Sequence, residues 1–167
     1  MNGTPPNLWV KEGDIPAESL DDGEYHERYG TFRPRALAER QSAPHGESPW
    51  NMNHLYEFWS HFLVDVSSPR MYKEFRTVAI EDQSTRGSSD GMQYLVRFYG
   101  DTLRSPRVVL PEIAQDFIDV VKMESKDENR PAFRKLRSIL RNGAFNLKSR
   151  KIIDNLLDSE LKTELEK

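Results

Sequence analysis

The stretch NMNHLYEFWSHFLVDV, Asn51 to Val66, decides the fold. Its apolar residues are Leu55, Phe58, Trp59, Phe62, Leu63 and Val66. They recur at i, i+3 and i+4, which puts them on one face of an amphipathic helix. Asn51 or Asn53 is a suitable N-cap. The remaining side carries Glu57, Ser60, His61 and Val64, so the helix buries one stripe and leaves a polar one for something else.

Outward from this helix the same period continues. The spacing predicts helices near 52–66, 70–82, 91–104, 111–124, 131–142 and 147–157, and the closing stretch has room for one more short helix. A short helix from Arg33 to Gln41 precedes them, starting near Pro34. The helix after Pro131 is expected to stop at Gly143. No segment alternates with period 2 for long enough to make a sheet. Residues 1–30, rich in Pro, Gly, Asp and Glu, read as an extended arm with at most a short helix, draped over a helical domain of residues 31–167.

The helices repeat. Leu55, Phe58 and Leu63 recur in the same order as Leu95, Phe98 and Leu103, and SPRM at Ser68 recurs as SPRV at Ser105. Leu136 and Ile139 make a looser third copy. The spacing of about 40 residues is that of a helix–turn–helix repeat. About three such units stacked together form a HEAT-type all-α solenoid, in which a stripe of each first helix stays free to bind.

At 167 residues the chain can bury a real core. It lacks cysteine, so it has neither a disulfide framework nor a thiolate metal site, which suits a reducing compartment. No apolar run reaches membrane-spanning length, and the first residues do not read as a signal peptide, so the cytoplasm is the expected location. Net charge is −3, but it is unevenly placed: residues 1–90 hold 9 Lys and Arg against 15 Asp and Glu, and residues 91–167 hold 15 against 12. Between Arg130 and Lys151 there are eight basic residues and no acidic one. Such a block is either a solvated face or a phosphate-binding field.

Three constellations follow. Arg134, Arg137 and Arg141 share one helix face and are the better phosphate candidate, since guanidinium groups match phosphate oxygens in pairs. Arg97, Asp101 and Arg104 share another, either as a surface ion-pair ladder or as a phosphate clamp. His54, Glu57 and His61 share a third; an ordinary Glu57–His61 surface pair is the expected reading, and a metal site is not. Tyr56, Trp59, Tyr94 and Tyr99 read as core, whereas Trp50 reads as an exposed loop residue able to stack a base. No nucleophile elbow, phosphate loop or metalloprotease pair occurs, so no enzyme and no cofactor are expected.

The run MNHLYEFWSHFL…MYKEFRTVAIED…GMQYLVRFYGDTL resembles the C-terminal helical-repeat region of the La-related protein 1 family. RALAER before it and FRKLRSILRNGAFNL after it fit the same region over roughly residues 30 to 160. The resemblance implies HEAT-like helix pairs and binding to the 5′ region of messenger RNA in a regulator of translation and message stability. In animal members the cap and first nucleotides occupy a groove across the repeats. By position, the groove's first-repeat arginine and aromatic are here Glu57 and His61. The second-repeat arginine, tyrosine and glutamate are Arg97, Asp101 and Arg104, and the third-repeat tyrosine is Asn142. By position only the arginine survives, as Arg97; with the helix-face arginines added, the expected RNA-binding residues are Arg97, Arg104, Arg134, Arg137, Arg141 and His61, with little preference for a methylated cap. The expected protein is a monomer away from membranes, with RNA and translation-machinery proteins as partners. The alternative is a protein–protein adaptor solenoid in a translation-related complex.

Overall fold

The computed structural model describes residues 7–9, 26–142 and 146–167. Eight helices follow two short strands: β1 (Asn7–Trp9), β2 (His26–Arg28), α1 (Tyr29–Ser42), α2 (Trp50–Asp65), α3 (Pro69–Thr85), α4 (Asp90–Arg104), α5 (Pro111–Met123), α6 (Pro131–Asn142), α7 (Leu147–Leu156) and α8 (Ser159–Glu166). The expectation of no sheet needs one amendment. β1 and β2 form a parallel two-stranded ladder, with Leu8 opposite Glu27, and Leu8 packs on the core. Strands this short cannot show a period-2 pattern, so the sequence hid them. The rest of the predicted arm, residues 1–6 and 10–25, and the predicted stop at Gly143 lie outside the described residues.

Three helices, α3, α7 and α8, begin on a local side-chain cap. Ser68 accepts a bond from the Met71 amide, with Pro69 at the first helical position. Asn146 accepts from the Lys148 and Ser149 amides, and Asp158 from the Leu161 amide. α6 is capped from a distance: the Glu124 carboxylate accepts from Ala132 N at 2.8 Å and Phe133 N at 2.9 Å, satisfying amides that have no partner within the helix. α2 departs from expectation. It begins at Trp50 after Pro49, with no side-chain cap. The two asparagines are engaged sideways: Asn51 donates to Glu39 at 2.9 Å, and Asn53 donates to Asp90 at 3.2 Å. The second SPR segment also differs from the first. Ser105 closes α4 instead of opening α5, and α5 starts at Pro111.

Helices α1, α2, α4 and α6 stand side by side in one row; α3 packs behind α2 and α4, α5 behind α4 and α6, and α7 against α5, giving a HEAT-like solenoid. The repeat spacing read from the sequence is the register of this row. Leu55 and Leu95 are both fully buried, as are Trp59 and Tyr99. Two helices approach closely at glycines. A Cβ on Gly91 would lie 2.5 Å from the Tyr56 ring of α2, and one on Gly100 would lie 2.9 Å from Lys135 of α6. A buried polar knot ties α1, α2 and α3 at one end. Arg40 Nε donates to Asp82 Oδ1 at 2.7 Å, Tyr56 Oη donates to Asp82 Oδ2, and Arg86 Nε lies 3.6 Å from Asp82.

Candidate nucleic-acid interface on the outer face of the helix row

The row presents one outer face to solvent. On α2 the helical period aligns Trp50, Glu57, His61 and Val64 along it; on α4 it aligns Arg97, Asp101 and Arg104; on α6, Arg134, Ser138 and Arg141. The charge changes along the row. At the α2/α4 seam, Tyr94 stacks on Tyr56 with centroids 6.5 Å apart and is half-buried. Burial pushes its hydroxyl pKa up; Glu57 and Asp90 add to the rise and Arg97 opposes it, so all three charges converge on this ring. This seam is acidic. Further along, α4 is mixed: Arg97 Nε and Asp101 Oδ2 are 3.9 Å apart, both half-exposed. The α6 end is basic.

The predicted site residues divide accordingly. Arg104 and Arg141 are exposed and make no hydrogen bond or ion pair among the described residues. Arg134 is exposed and donates to the side-chain oxygen of Asn129 at 2.5 Å. Arg137 is half-buried, with its guanidinium 5.4 Å from the Phe133 ring centre. Arg130 covers the same ring at 3.8 Å and reaches Glu164 of α8 at 2.9 Å. Phe133 and Arg137 therefore lie on the α8 side of α6, while Lys135, which packs over Gly100, lies on the α4 side. The α6 arginines and the Arg97–Asp101–Arg104 stripe are thus two neighbouring patches, with Lys135 at the seam between them. Sequence reasoning missed Lys135, although its place one turn beyond the buried Ala132 was a usable signal.

His61 is exposed on the α2 face, away from the cationic end. Glu57 lies 3.9 Å from His54 Nδ1, so the expected Glu57–His61 pair gives way to a His54–Glu57 one. The i, i+3 partner wins because His54 is held under Trp50 and against Phe32. Among the described residues no group of three or more His, Asp or Glu is placed to hold a metal ion.

Asp101 and Asn142, the positions that the resemblance assigns to the cap pocket, present no aromatic face, and Asn142 donates to Ser138 at 3.3 Å. Tyr99, the nearest alternative aromatic in sequence, is only 1% exposed and stacked on Phe117, so it offers no free face. Its hydroxyl shares a 2.8 Å bond with Tyr72, which donates to Asp116 at 2.7 Å. Trp50 is 45% exposed but belongs to the first turn of α2, not to a loop, and sits at the other end of the row from Asn142. The family model described as the LARP1 HEAT repeat region matches residues 17–166. With a match of that extent over a row of paired helices, the chain belongs to the LARP1 HEAT repeat family.

Proposed function

We propose that this solenoid is an RNA-binding module of a La-related regulator of translation and message stability. In this reading it holds the 5′ region of messenger RNA by phosphate contacts along the α4–α6 part of the row. The observation that carries it is the pair of uncommitted guanidinium groups, Arg104 and Arg141, flanked by Lys135, Arg134 and Arg97. Charged groups left without partners suit anion capture, because no existing ion pair has to break first. The acidic α2 end limits the footprint to two helices. Cap selectivity is absent in this reading, because Asp101 and Asn142 cannot stack a base. The module works by binding and not by catalysis, as a cytoplasmic monomer; among the described residues no helix is long and apolar enough to cross a membrane.

The test is the salt dependence of binding to an uncapped single-stranded oligonucleotide. Three or four phosphate contacts give a log–log slope of about −2 to −3, at about −0.7 per phosphate. Replacing Arg134, Arg137 and Arg141 together by alanine should remove most of the affinity and flatten the slope. Circular dichroism controls for the loss of Arg137 packing on Phe133. A flat slope for the unmodified chain would end the proposal. It would favour the second reading, a protein adaptor, which has its own support: α3 and α5 stand apart and leave a trough of about 390 Å³ floored by Leu63, Phe98 and Ile113 and rimmed by the exposed Val66 and Leu110.

A further inference from the structure

The row has a repeated small-residue position. Ser60, two turns after Asn53 on the α4 side of α2, is fully buried. Gly100, one repeat further along the chain, lies against α6. The corresponding place on α6, a second repeat further, is Arg141. There the neighbour is not another helix of the row: Arg141 faces α7 and α8 across a cavity of about 550 Å³. That volume lies within the ~300–1,000 Å³ range of small-ligand sites.

Three elements bring cations to this cavity: Arg141 from α6, Arg150 from α7 and Lys162 from α8. Arg150 is held in place, donating to Leu140 O at 3.2 Å with Asp154 4.0 Å from its Nε. Arg141 and Lys162 have no side-chain partner among the described residues. Leu140, Leu157 and Leu165 supply an apolar wall, and Asp154 and Glu166 supply acceptor oxygens, so the three cations exceed the two carboxylates by one. The lining thus offers three chemistries at once: cations for a phosphate, a carboxylate for sugar hydroxyls, and aliphatic surface for a base. A bare anion uses one of these; a nucleotide uses all three.

We infer that the cavity between α6, α7 and α8 is a binding site for a single nucleoside phosphate, such as an unstacked nucleotide of a bound RNA strand. The assignment rests on the RNA-binding reading above for its biological ligand, but its chemistry can be tested alone. The probe is adenosine 5′-monophosphate, titrated into the isotope-labelled chain and followed by amide resonances. Saturating shifts at Arg141, Arg150 and Lys162 are expected, and inorganic phosphate should move the same signals more weakly. Lys162→Glu, an exposed change on α8, should weaken the titration at least tenfold while leaving the other resonances in place. Silence at these three residues overturns the site. So does a Lys162→Glu titration indistinguishable from the parent, or phosphate binding as tight as the nucleotide, which would leave an anion site only. An oligonucleotide that binds with the expected salt slope while the nucleotide is silent keeps the RNA reading and removes this site. A nucleotide that titrates while no oligonucleotide binds does the reverse.

Discussion

Replacing Asp82 by alanine should cost more stability than almost any other polar substitution in this fold. Asp82 is 3% exposed and takes bonds from Arg40 and Tyr56, while Arg40 is itself 8% exposed. Removing the carboxylate strands a buried guanidinium, and breaking one side of a buried pair costs about 3–5 kcal/mol. Arg40 keeps a second partner, Glu81 at 2.9 Å, but that carboxylate is half-exposed and compensates in part, so the low end applies, about 3 kcal/mol. For a chain of this length the melting temperature should fall by about 6–12 °C, followed by far-ultraviolet circular dichroism. The reasoning requires a second result. Arg40→Met, Tyr56→Phe and Asp82→Leu made together remove Asp82 and the two buried groups that donate to it, while Arg86 keeps its bonds to the Arg40 and Ala43 carbonyls, and this variant should recover most of the loss, since well-packed hydrocarbon can replace a buried ion pair at little cost. Asp82→Ala melting within about 2 °C of the parent, less than 1 kcal/mol of effect, would refute the claim that the pair is desolvated. A triple variant no better than the single one would refute the claim that the stranded charge is the cause.

Gly91→Ala should destabilise by about 1–3 kcal/mol in a denaturant titration, against the usual helix preference for alanine, because the new methyl meets the fixed Tyr56 ring. Gly100→Ala should be neutral or stabilising, because its obstacle is the bendable stem of Lys135. Acid should loosen α8 first. Lys122 and a backbone bond from Leu161 hold the Asp158 pKa down, and Arg130 and then Lys126 hold that of Glu164 down. A carboxylate depressed in the folded state contributes fully above its unfolded value and loses that contribution as pH falls through its folded one. The protection of α8 amides against hydrogen exchange, taken relative to the intrinsic rate at each pH, should therefore fall below about pH 4 and stay flat between pH 5 and 8. Methylated cap analogue should fail to displace a bound oligonucleotide. Two missing stacking partners cost about 1–3 kcal/mol each, a hundredfold or more in affinity together, so displacement at micromolar analogue would show that the groove positions assigned here are wrong.

The solenoid was legible because its signal is long. Six helices with a common helical period, set in a regular repeat, leave little freedom, and Leu55, Leu95 and Leu136 are all fully buried as their spacing required. Local boundaries were less legible where tertiary contacts override local chemistry. Asn51 and Asn53 look like caps, yet Glu39 and Asp90 claim their side chains. α1 begins at Tyr29, more than a turn ahead of Pro34, in spite of the proline inside it, because Tyr29 stacks on Phe58 and accepts a bond from Trp59 Nε1 at 2.9 Å. The outer face was half-legible. Which residues share a helix side follows from the period, so the stripes of α4 and α6 were visible. Which side of a helix meets which neighbour does not follow, and Arg137 shows the difference: it shares a stripe with Arg134 but turns toward Phe133 and α8. The cavity beside Arg141 had no local signature at all, since its walls come from three helices.

A stack of like units carries a hazard of its own, because the surface that joins one unit to the next is also fit to join one molecule to another, and such growth has no natural stop. The small residues at Ser60 and Gly100 are the joints of this stack. Arg141 writes a different instruction at the third joint. A further repeat settling over that end would have to strip water from an exposed guanidinium, which makes continuation costly there.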